Sequence, residues 1–167
     1  ATRHNNTAVK KGDRLLGTRI IPLVIPKEKM DQVKETAGDT PLVSLTPFMP
    51  MKAGIVTTGN EVYHGRIKDT FTPVIIDKLA SYGIGISGQI ICDDDQEKIT
   101  NAILKLKQDG ADMILCTGGM SVDPDDRTPG AIKAAGVRIV TYGAPVLPGA
   151  MLLLAYFEDG TPVLGLP

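Results

Sequence analysis

Acidic, amide and hydroxyl side chains gather in three polar segments, and each segment directly follows a short apolar run. The segments cover residues 57–70, 92–95 and 117–129. Carboxylates in such segments can act as general acids or bases, and clusters built only from oxygen ligands suit Mg²⁺ and not zinc. Glu61 in the first segment can also accept hydrogen bonds from a heterocyclic ligand. These residue types predict a site for a polar ligand or for Mg²⁺.

The third segment opens with Gly118 and Gly119, which carry no side chains. Their backbone N–H groups can therefore approach a phosphate or a carboxylate closely. Thr117 and Ser121 add hydroxyl donors beside them, and a helix that we predict to begin near Pro129 points its positive end toward the same space. A plain tight turn is the alternative interpretation of a Gly-Gly pair. The length of this segment and its three aspartates favour anion binding instead.

Several of the aspartates have a structural alternative, because carboxylates are common at helix N-termini without any function. We interpret Asp94 and Asp95 as caps of the helix that follows them, whereas Asp93 lies nearer the strand end and can face a cleft. The aspartates at 123, 125 and 126 stay ambiguous, since one can cap a helix while another holds Mg²⁺ or a ligand nitrogen.

The elements that position these segments alternate between strands and helices. Short apolar runs predict strands, and apolar residues spaced three or four apart predict amphipathic helices. The predicted strands cover 53–57, 84–91, 112–116, 137–141, 151–157 and 163–166, and the predicted helices cover 73–82, 95–109 and a segment capped by Thr128 that ends before Gly136. We therefore predict an α/β fold with three layers (α/β/α) around a mostly parallel sheet. In such a sheet the ligand binds beyond the carboxyl ends of the strands, where all three polar segments fall.

The first fifty residues differ from the rest of the chain. Residues 1–50 carry eight basic and five acidic side chains, whereas residues 51–167 carry ten basic and fourteen acidic ones. Two prolines within 46–50 favour an extended connection, so we place a domain boundary after residue 50. Before it we predict a small β-rich N-terminal segment. This segment has an extended strand over 14–25, which Pro22 restricts to an edge or a bulge, and a short helix from Pro26 that stops at Gly38.

Composition excludes several classes of protein. Lys and Arg total 18 and Asp and Glu total 19 among 167 residues, which argues against a nucleic-acid binder. The longest apolar stretch, 144–157, is broken by prolines and a glycine and is too short for a membrane span. Cys92 and Cys116 give neither a disulfide framework nor a metal-binding spacing. The first residues lack the apolar core of a signal peptide, so we expect a cytoplasmic protein that binds neither nucleic acid nor a membrane.

Four short motifs occur in order along the second part of the chain: Thr58–Glu61, Gly65–Thr70, Cys92–Asp94 and Thr117–Val122. Together they resemble the molybdopterin-binding domain superfamily, which includes the molybdotransferases and adenylyltransferases of molybdenum cofactor biosynthesis. The resemblance spans about residues 51–167. Residues 119–122 look like the molybdotransferase branch, and residues 126–129 look more like the adenylyltransferase branch. The resemblance implies molybdopterin as ligand or substrate, Mg²⁺ and an adenylate nucleotide as further ligands, and a homo-oligomer, either a dimer or a trimer.

The resemblance also implies roles for particular residues. Asp93 and Asp126 match two catalytic aspartates of the adenylyltransferase branch and are the implied Mg²⁺ ligands, and Glu61 matches a functional acid of the molybdotransferase branch. A backbone cradle for the phosphate of the pterin corresponds to Gly118 and Gly119, with Ser121 beside them. The implied pterin-binding set is Thr58, Gly59, Asp69, Thr70, Thr117, Gly118, Gly119, Ser121, Pro148 and Gly149.

The segment over 146–151 departs from the family pattern. Molybdotransferases carry lysines on both sides of the Pro-Gly pair in this segment, and those lysines hold molybdate. In this chain Leu147 and Ala150 flank the corresponding Pro148 and Gly149. This departure argues against molybdate insertion. Two functions stay open: a Mg²⁺-dependent transferase of cofactor synthesis, or a module that binds or senses the cofactor without catalysis. The comparison further implies a piece of a longer protein, with 1–50 from a truncated neighbouring domain and 51–167 truncated at its C-terminal end.

Overall fold

The computed structural model describes residues 3–19, 21–41, 43–121, 123 and 125–167, in two units, Ala1–Pro47 and Phe48–Pro167. In the first unit, helix α1 (Lys27–Ala37) begins after Pro26, whose fixed backbone angle suits a helix start. It ends at Gly38, which has a φ of 62° and donates its N–H to the carbonyl of Lys34 at 3.0 Å. The predicted N-terminal helix is confirmed. Val122, which belongs to one of the motifs above, lies outside the described residues.

The strand predicted over 14–25 does not form in the described part of that range, so this prediction is wrong. Only Leu16 takes part in an isolated bridge. Ile21, Leu23 and Val24 are exposed, and Pro22 has no N–H to donate. A strand needs a partner for its backbone groups, and the described residues of this unit contain no other strand. Most apolar side chains in the described part of this range are therefore exposed, and they do not form the predicted edge strand.

Six strands of the second unit form one sheet: β1 (Lys52–Thr58), β2 (Gly85–Cys92), β3 (Met113–Thr117), β4 (Arg138–Tyr142), β5 (Leu153–Tyr156) and β6 (Pro162–Leu166). Their order across the sheet is β2-β1-β3-β6-β5-β4. The first four strands in this order run parallel, whereas β5 is antiparallel to both β6 and β4. Only a short turn joins β5 to β6, and a parallel pair would need a longer crossover. The predicted α/β class is confirmed, with an antiparallel edge.

The described residues of the second unit also form the helices α2 (Asn60–Tyr63), α3 (Phe71–Ala80), α4 (Gln96–Gln108) and α5 (Thr128–Ala134). Local hydrogen bonds set where α3 and α4 begin. Asp95 caps α4, since its carboxylate accepts the N–H of Lys98 at 3.0 Å, as predicted. The helix α3 begins two residues before the predicted start. The reason is Asp69, whose Oδ1 accepts the N–H groups of Phe71 and Thr72, each at 3.0 Å.

Helices cover both faces of the sheet. On one face, Ile99 and Ile103 of α4 and Ile132 of α5 pack with Val56 and Ile114 of the sheet, and all five are fully buried. On the other face, Ile75 of α3 packs with Ala53, Ile55 and Leu115. The strand β1 lies in the middle of the parallel part and is buried from Ala53 to Thr58. Its carboxyl end is therefore a rigid base for the loops that follow. In the described part of the chain, no helix has the length and apolar character that a membrane crossing requires.

Candidate functional site

Three neighbouring strands end at one edge of the sheet and hold the loops of a cleft there. Strand β1 lies between β2 and β3, with Thr58 beside Cys92 and Thr57 beside Thr117. The cleft has a volume of about 580 Å³. It is lined by Thr58, Gly59, Asn60, Glu61, Val62, Asp94, Gly119, Asp123, Asp125 and Asp126. The predicted convergence of the three polar segments is confirmed.

The predicted site residues divide into those that line this cleft and those that do not. The predicted residues that line it are Thr58, Gly59, Glu61, Gly119 and Asp126. The predicted set omits half of the lining: Asn60, Val62, Asp94, Asp123 and Asp125. Asp94 was omitted because an aspartate before a helix usually caps it. Asn60 and Val62 gave no signal beyond their position in the first polar segment.

Carboxylates dominate the charge of the cleft. Five of them line it, and no Lys, Arg or His is among its described lining residues. Carboxylates accept hydrogen bonds from N–H donors and attract cations, whereas they repel a free phosphate. The lining therefore suits a ligand that presents N–H groups to the carboxylates, with any anionic group directed to backbone donors.

Gly118 and Gly119 turn the chain out of β3 at this edge, with φ angles of +84° and +55°. A Cβ at Gly118 would overlap the backbone oxygen of Thr58, and one at Gly119 would lie 2.8 Å from Thr128 Oγ1. Both positions therefore require glycine, because of the backbone conformation and because of the space. As the sequence predicted, no side chain covers the backbone of this turn. Binding of a phosphate by its N–H groups stays a prediction. Ser121, just beyond the turn, is exposed.

Asp93 does not line the cleft. Its Oδ2 pairs with Lys98 Nζ at 2.6 Å, and its Oδ1 accepts a long hydrogen bond of 3.4 Å from the N–H of Asp95. The hydrogen bond from Lys98 is the main cause that lowers the pKa of the Asp93 carboxyl. Lys98 of the following helix α4 therefore pairs with the carboxylate that we expected at the reaction centre. A catalytic role for Asp93 stays a prediction, and it requires Lys98 to release the carboxylate.

Asp94 joins the second loop to the first. Its Oδ2 accepts the N–H of Asn60 at 3.0 Å, and Asn60 is the first residue of α2. The prediction that Asp94 caps the helix that follows it is therefore wrong, because its carboxylate bonds to the start of α2 while Asp95 alone caps α4. The hydrogen bond holds the beginning of α2, and with it Glu61, at the rim of the cleft.

Asp69 lies at the start of α3 and is not among the residues that line the cleft. Its Oδ2 is buried and has no hydrogen-bond partner among the described residues. Partial burial acts to raise the pKa of Asp69, but hydrogen bonds from Thr72 and Phe71 outweigh it and leave the pKa below its usual value. Thr70 is exposed and makes no capping hydrogen bond with its side chain. The structural role of Asp69 is clear, and contact of either residue with a ligand stays a prediction.

Asp126 lines the cleft, and one of its carboxylate oxygens has no hydrogen-bond partner among the described residues. Its N–H donates to the carbonyl of Asp123 at 3.0 Å, which closes a turn in the third loop. Its Oδ2 is buried and accepts no hydrogen bond from the described part of the chain. Buried polar atoms are rarely left unpaired in folded proteins. This oxygen therefore has an acceptor position that the described residues leave unused.

Pro148 and Gly149 lie at the same edge of the sheet but are not among the cleft's lining residues. Leu153 pairs with Tyr142 and with Gly165, so the loop over 143–152 leaves the sheet where β6 ends. Strands β3 and β6 separate this loop from β1. Leu147 is 91% exposed, and the loop contains no basic side chain. A role for this loop in pterin binding stays a prediction.

The described residues do not fit a metal site built by the protein alone. Nowhere among them are three His, Cys, Asp or Glu side chains grouped to hold a metal ion. Asp93, one of the two expected Mg²⁺ ligands, is paired with Lys98. Mg²⁺ is commonly held by one or two carboxylates together with the phosphates of a ligand. Asp126 fits only that second form, through its unpaired oxygen.

The family to which this fold and cleft belong follows from comparison with known proteins. Residues 54–167 match the family described as "Probable molybdopterin binding domain", and this range includes every residue that lines the cleft. The chain belongs to this family. The superfamily resemblance inferred from the four motifs is confirmed, and the cleft is the candidate pterin site of a molybdopterin-binding domain.

The named relatives of this molybdopterin-binding domain include CinA-like proteins and molybdopterin biosynthesis proteins. A CinA-like protein from Mycobacterium sp. (strain MCS) is 38% identical over 80 residues, which are 48% of this chain and 19% of that protein. The chain thus spans about a fifth of the length of the curated relatives it matches. The molybdopterin biosynthesis enzyme MoaB from Thermus thermophilus superposes with a TM-score of 0.62 at 26% identity, covering 70% of this chain and 80% of that one. The protein CinA from Thermoplasma acidophilum has a TM-score of 0.59 at 19% identity, covers 71% and 88%, and shows the fold alone.

Proposed function

We propose that this chain binds molybdopterin in the cleft at the carboxyl ends of β1 and β3, and that this binding serves molybdenum cofactor biosynthesis. The proposal rests on one observation: the part of the chain that matches the family contains all three loops that form the cleft. The likeness to MoaB from Thermus thermophilus, which is described as a molybdopterin biosynthesis enzyme, supports the biosynthetic role.

The carboxylates of the cleft match the donor groups of a pterin. A pterin ring carries N–H and NH₂ groups along one edge, and a carboxylate can accept two such donors at once. Asp126 Oδ2 is buried without a donor, so a ring N–H that reached it would satisfy an otherwise unpaired atom. Glu61 lies on the facing loop, where the hydrogen bond between Asp94 and Asn60 holds it. These two acids are the proposed contacts to the pterin ring.

The phosphate of molybdopterin needs a different part of the cleft. No basic side chain is among the described lining residues, so a phosphate must be bound by backbone N–H groups or through an ion shared with a carboxylate. Gly118 and Gly119 present their backbone at the end of β3 without a side chain in the way. We place the phosphate there.

Adenylation of molybdopterin is the second candidate function. Glu61 and Asp126 favour it, because both carboxylates line the cleft in which we place the ligand. Binding without chemistry is favoured by the ion pair of Asp93 with Lys98 and by Leu147 and Ala150 in place of lysines. The binding step therefore has the stronger support.

The binding step is tested by anaerobic fluorescence titration of the chain with molybdopterin and with its dephosphorylated form. We expect saturable binding that is tighter for the phosphorylated form. Asp126→Asn should weaken the binding of both forms by about tenfold, since an amide offers one acceptor in place of two. Asp77→Asn is the matched control, because Asp77 is an exposed residue of α3 that does not line the cleft.

Absence of binding by the unchanged chain would overturn the proposal, and so would equal effects of the two substitutions. The second function is tested by incubating the chain with molybdopterin, ATP and Mg²⁺ and searching for the adenylated pterin by mass spectrometry. Its formation, and its loss in Asp126→Asn, would establish the transferase. Binding without any product supports the module that only binds or senses the pterin.

A further inference from the structure

Thr128 is fully buried and does not line the cleft, although Asp126, two residues before it, does. The prediction that Thr128 caps α5 is wrong, because it is the first residue of the helix and Arg127 occupies the capping position. The hydroxyl of Thr128 instead donates to the carbonyl oxygen of Gly118 at 2.8 Å. The start of α5 is therefore bonded to the turn that leaves β3.

Thr58 at the end of β1 completes this arrangement. Its Oγ1 lies 3.1 Å from the carbonyl oxygen of Thr117 and 3.1 Å from Thr128 Oγ1. Each threonine hydroxyl has a single proton to donate. The Thr58 hydroxyl donates to the carbonyl of Thr117 and the Thr128 hydroxyl donates to that of Gly118, and either hydroxyl can share its proton in the contact between them. Two buried hydroxyls thus join the ends of β1 and β3 to α5.

The hydrogen bond to Gly118 also fixes the direction of the N–H of Gly119. The carbonyl of Gly118 and the N–H of Gly119 belong to one planar peptide unit, in which the two groups point in opposite directions. Thr128 holds the carbonyl inward, so the N–H of Gly119 points away from Thr128. Gly119 lines the cleft, and its N–H donates to no acceptor among the described residues.

The turn has little space in which to rotate while both hydroxyls stay in place. A Cβ at Gly119 would lie 2.8 Å from Thr128 Oγ1 and 3.4 Å from Thr58 Oγ1, so the two hydroxyls pack directly against this backbone. Met120, the next residue, is 2% exposed and anchors the other end of the turn in the core. The peptide between Gly118 and Gly119 is therefore held from both sides.

We propose that Thr128 is a positioning residue, whose hydroxyl orients the Gly118–Gly119 peptide so that the N–H of Gly119 binds the phosphate of the pterin. Thr128 itself touches no ligand. This inference rests on the proposed function for the identity of the ligand. It specifies which backbone donor receives the phosphate and which side chain, outside the cleft, sets the affinity for it.

The test compares Thr128→Val, which removes the hydroxyl at nearly constant shape, with Thr128→Ser, which keeps it. Each chain is titrated with molybdopterin and with its dephosphorylated form, and the Gly119 amide is followed by NMR relaxation. We expect Thr128→Val to bind molybdopterin about tenfold more weakly, because the donor loses its orientation. Binding of the dephosphorylated form should change by less than about twofold, since it does not use this donor. The order parameter of the Gly119 amide should fall in Thr128→Val and recover in Thr128→Ser.

Thr100→Val is the matched control. The Thr100 hydroxyl donates to Gln96 at 2.8 Å and to Ala131 of α5 at 3.2 Å, so its loss also removes a hydrogen bond to α5 but leaves the glycine turn alone. This control should bind both forms like the unchanged chain. Equal weakening of both forms by Thr128→Val would show a merely structural role and overturn the inference. If the unchanged chain binds neither form, the proposed function fails. The positioning role is tested separately by NMR, and an unchanged order parameter of the Gly119 amide in Thr128→Val would overturn it.

Discussion

Gly118→Ala tests the glycine turn most directly, because Gly136 offers a matched control in the same unit. The two glycines have nearly the same φ, +84° and +83°, so alanine meets the same unfavourable left-handed conformation at either position. Their surroundings differ. A Cβ at Gly118 would overlap the Thr58 backbone oxygen and lie 2.8 Å from Thr58 Oγ1, whereas nothing lies within 4 Å of a Cβ at Gly136.

The two substitutions should therefore differ in their effect on the free energy of unfolding. The left-handed conformation costs an L-residue about 1–2 kcal/mol, and this is the whole expected loss for Gly136→Ala. Forcing extra atoms into a packed site adds about 1–3 kcal/mol, so we expect a loss of roughly 2–5 kcal/mol for Gly118→Ala. The overlapping atom at Gly118 belongs to the backbone of β1 and cannot rotate aside. Relief requires the glycine turn or the end of β1 to move, and both form the wall of the cleft.

The assay combines urea unfolding with molybdopterin titration under conditions in which both variants remain folded. Gly136→Ala should bind within about twofold of the unchanged chain, and Gly118→Ala should bind at least about tenfold more weakly, which is a loss of about 1.4 kcal/mol. Equal loss of stability in the two variants would refute the packing argument. Unchanged binding by Gly118→Ala would refute the placement of the ligand against this turn.

Three further outcomes are expected. Lysine at both Leu147 and Ala150 should raise the affinity for molybdate in a salt-dependent manner, since the 143–152 loop has no basic side chain; tight, salt-independent binding by the unchanged chain in calorimetry contradicts this. Asp69→Asn should lessen the fall in stability at acid pH, measured by urea unfolding. The lowered pKa of Asp69 stabilises the fold above its ordinary value of 3.8, and that contribution is lost as the pH falls through the lowered pKa. Asp94→Ala should weaken molybdopterin binding roughly 3- to 10-fold, because the N–H of Asn60 loses its acceptor; unaltered affinity in the same titration argues against a role for α2.

The features that local sequence could predict are those set by neighbours in the chain. The alternation of apolar runs indicated the α/β class, and the apolar spacing of α4 placed that helix within a residue of its observed bounds. The order of the strands in the sheet could not be predicted in the same way, because a short apolar run does not show which strand it pairs with. The antiparallel edge formed by β4 and β5 depends on the lengths of the connections, and the alternating pattern carried little information about it.

The site residues that sequence misplaced form contacts with residues that lie 5 to 34 positions away in the chain. Asp94 resembles a helix cap by position, but its partner is Asn60, which is 34 residues away. Thr128 also precedes a proline as a cap would, yet its hydroxyl bonds to Gly118 in the preceding turn. Asp93 was expected to face the cleft, but the long side chain of Lys98 on the next helix pairs with it. Position relative to a helix predicts a local cap only when no acceptor or donor from another loop competes for the side chain.

The cleft and the residues that support it form two parts with different physical constraints. Thr58, Gly118 and Thr128 are fixed by hydrogen bonds and by close packing, so a change at any of them disturbs the end of β1 or β3. Glu61 and Asp125 are exposed on the rim, where substitutions usually change stability little. The contact of the phosphate with the fixed part should therefore persist when an acid of the rim is altered, whereas a contact of the pterin ring with Glu61 should be lost. Substitution of an exposed rim acid should therefore leave the fold intact. Under the proposed function, a transferase and a module that only binds the pterin would share the fixed part and would differ in the acids of the rim.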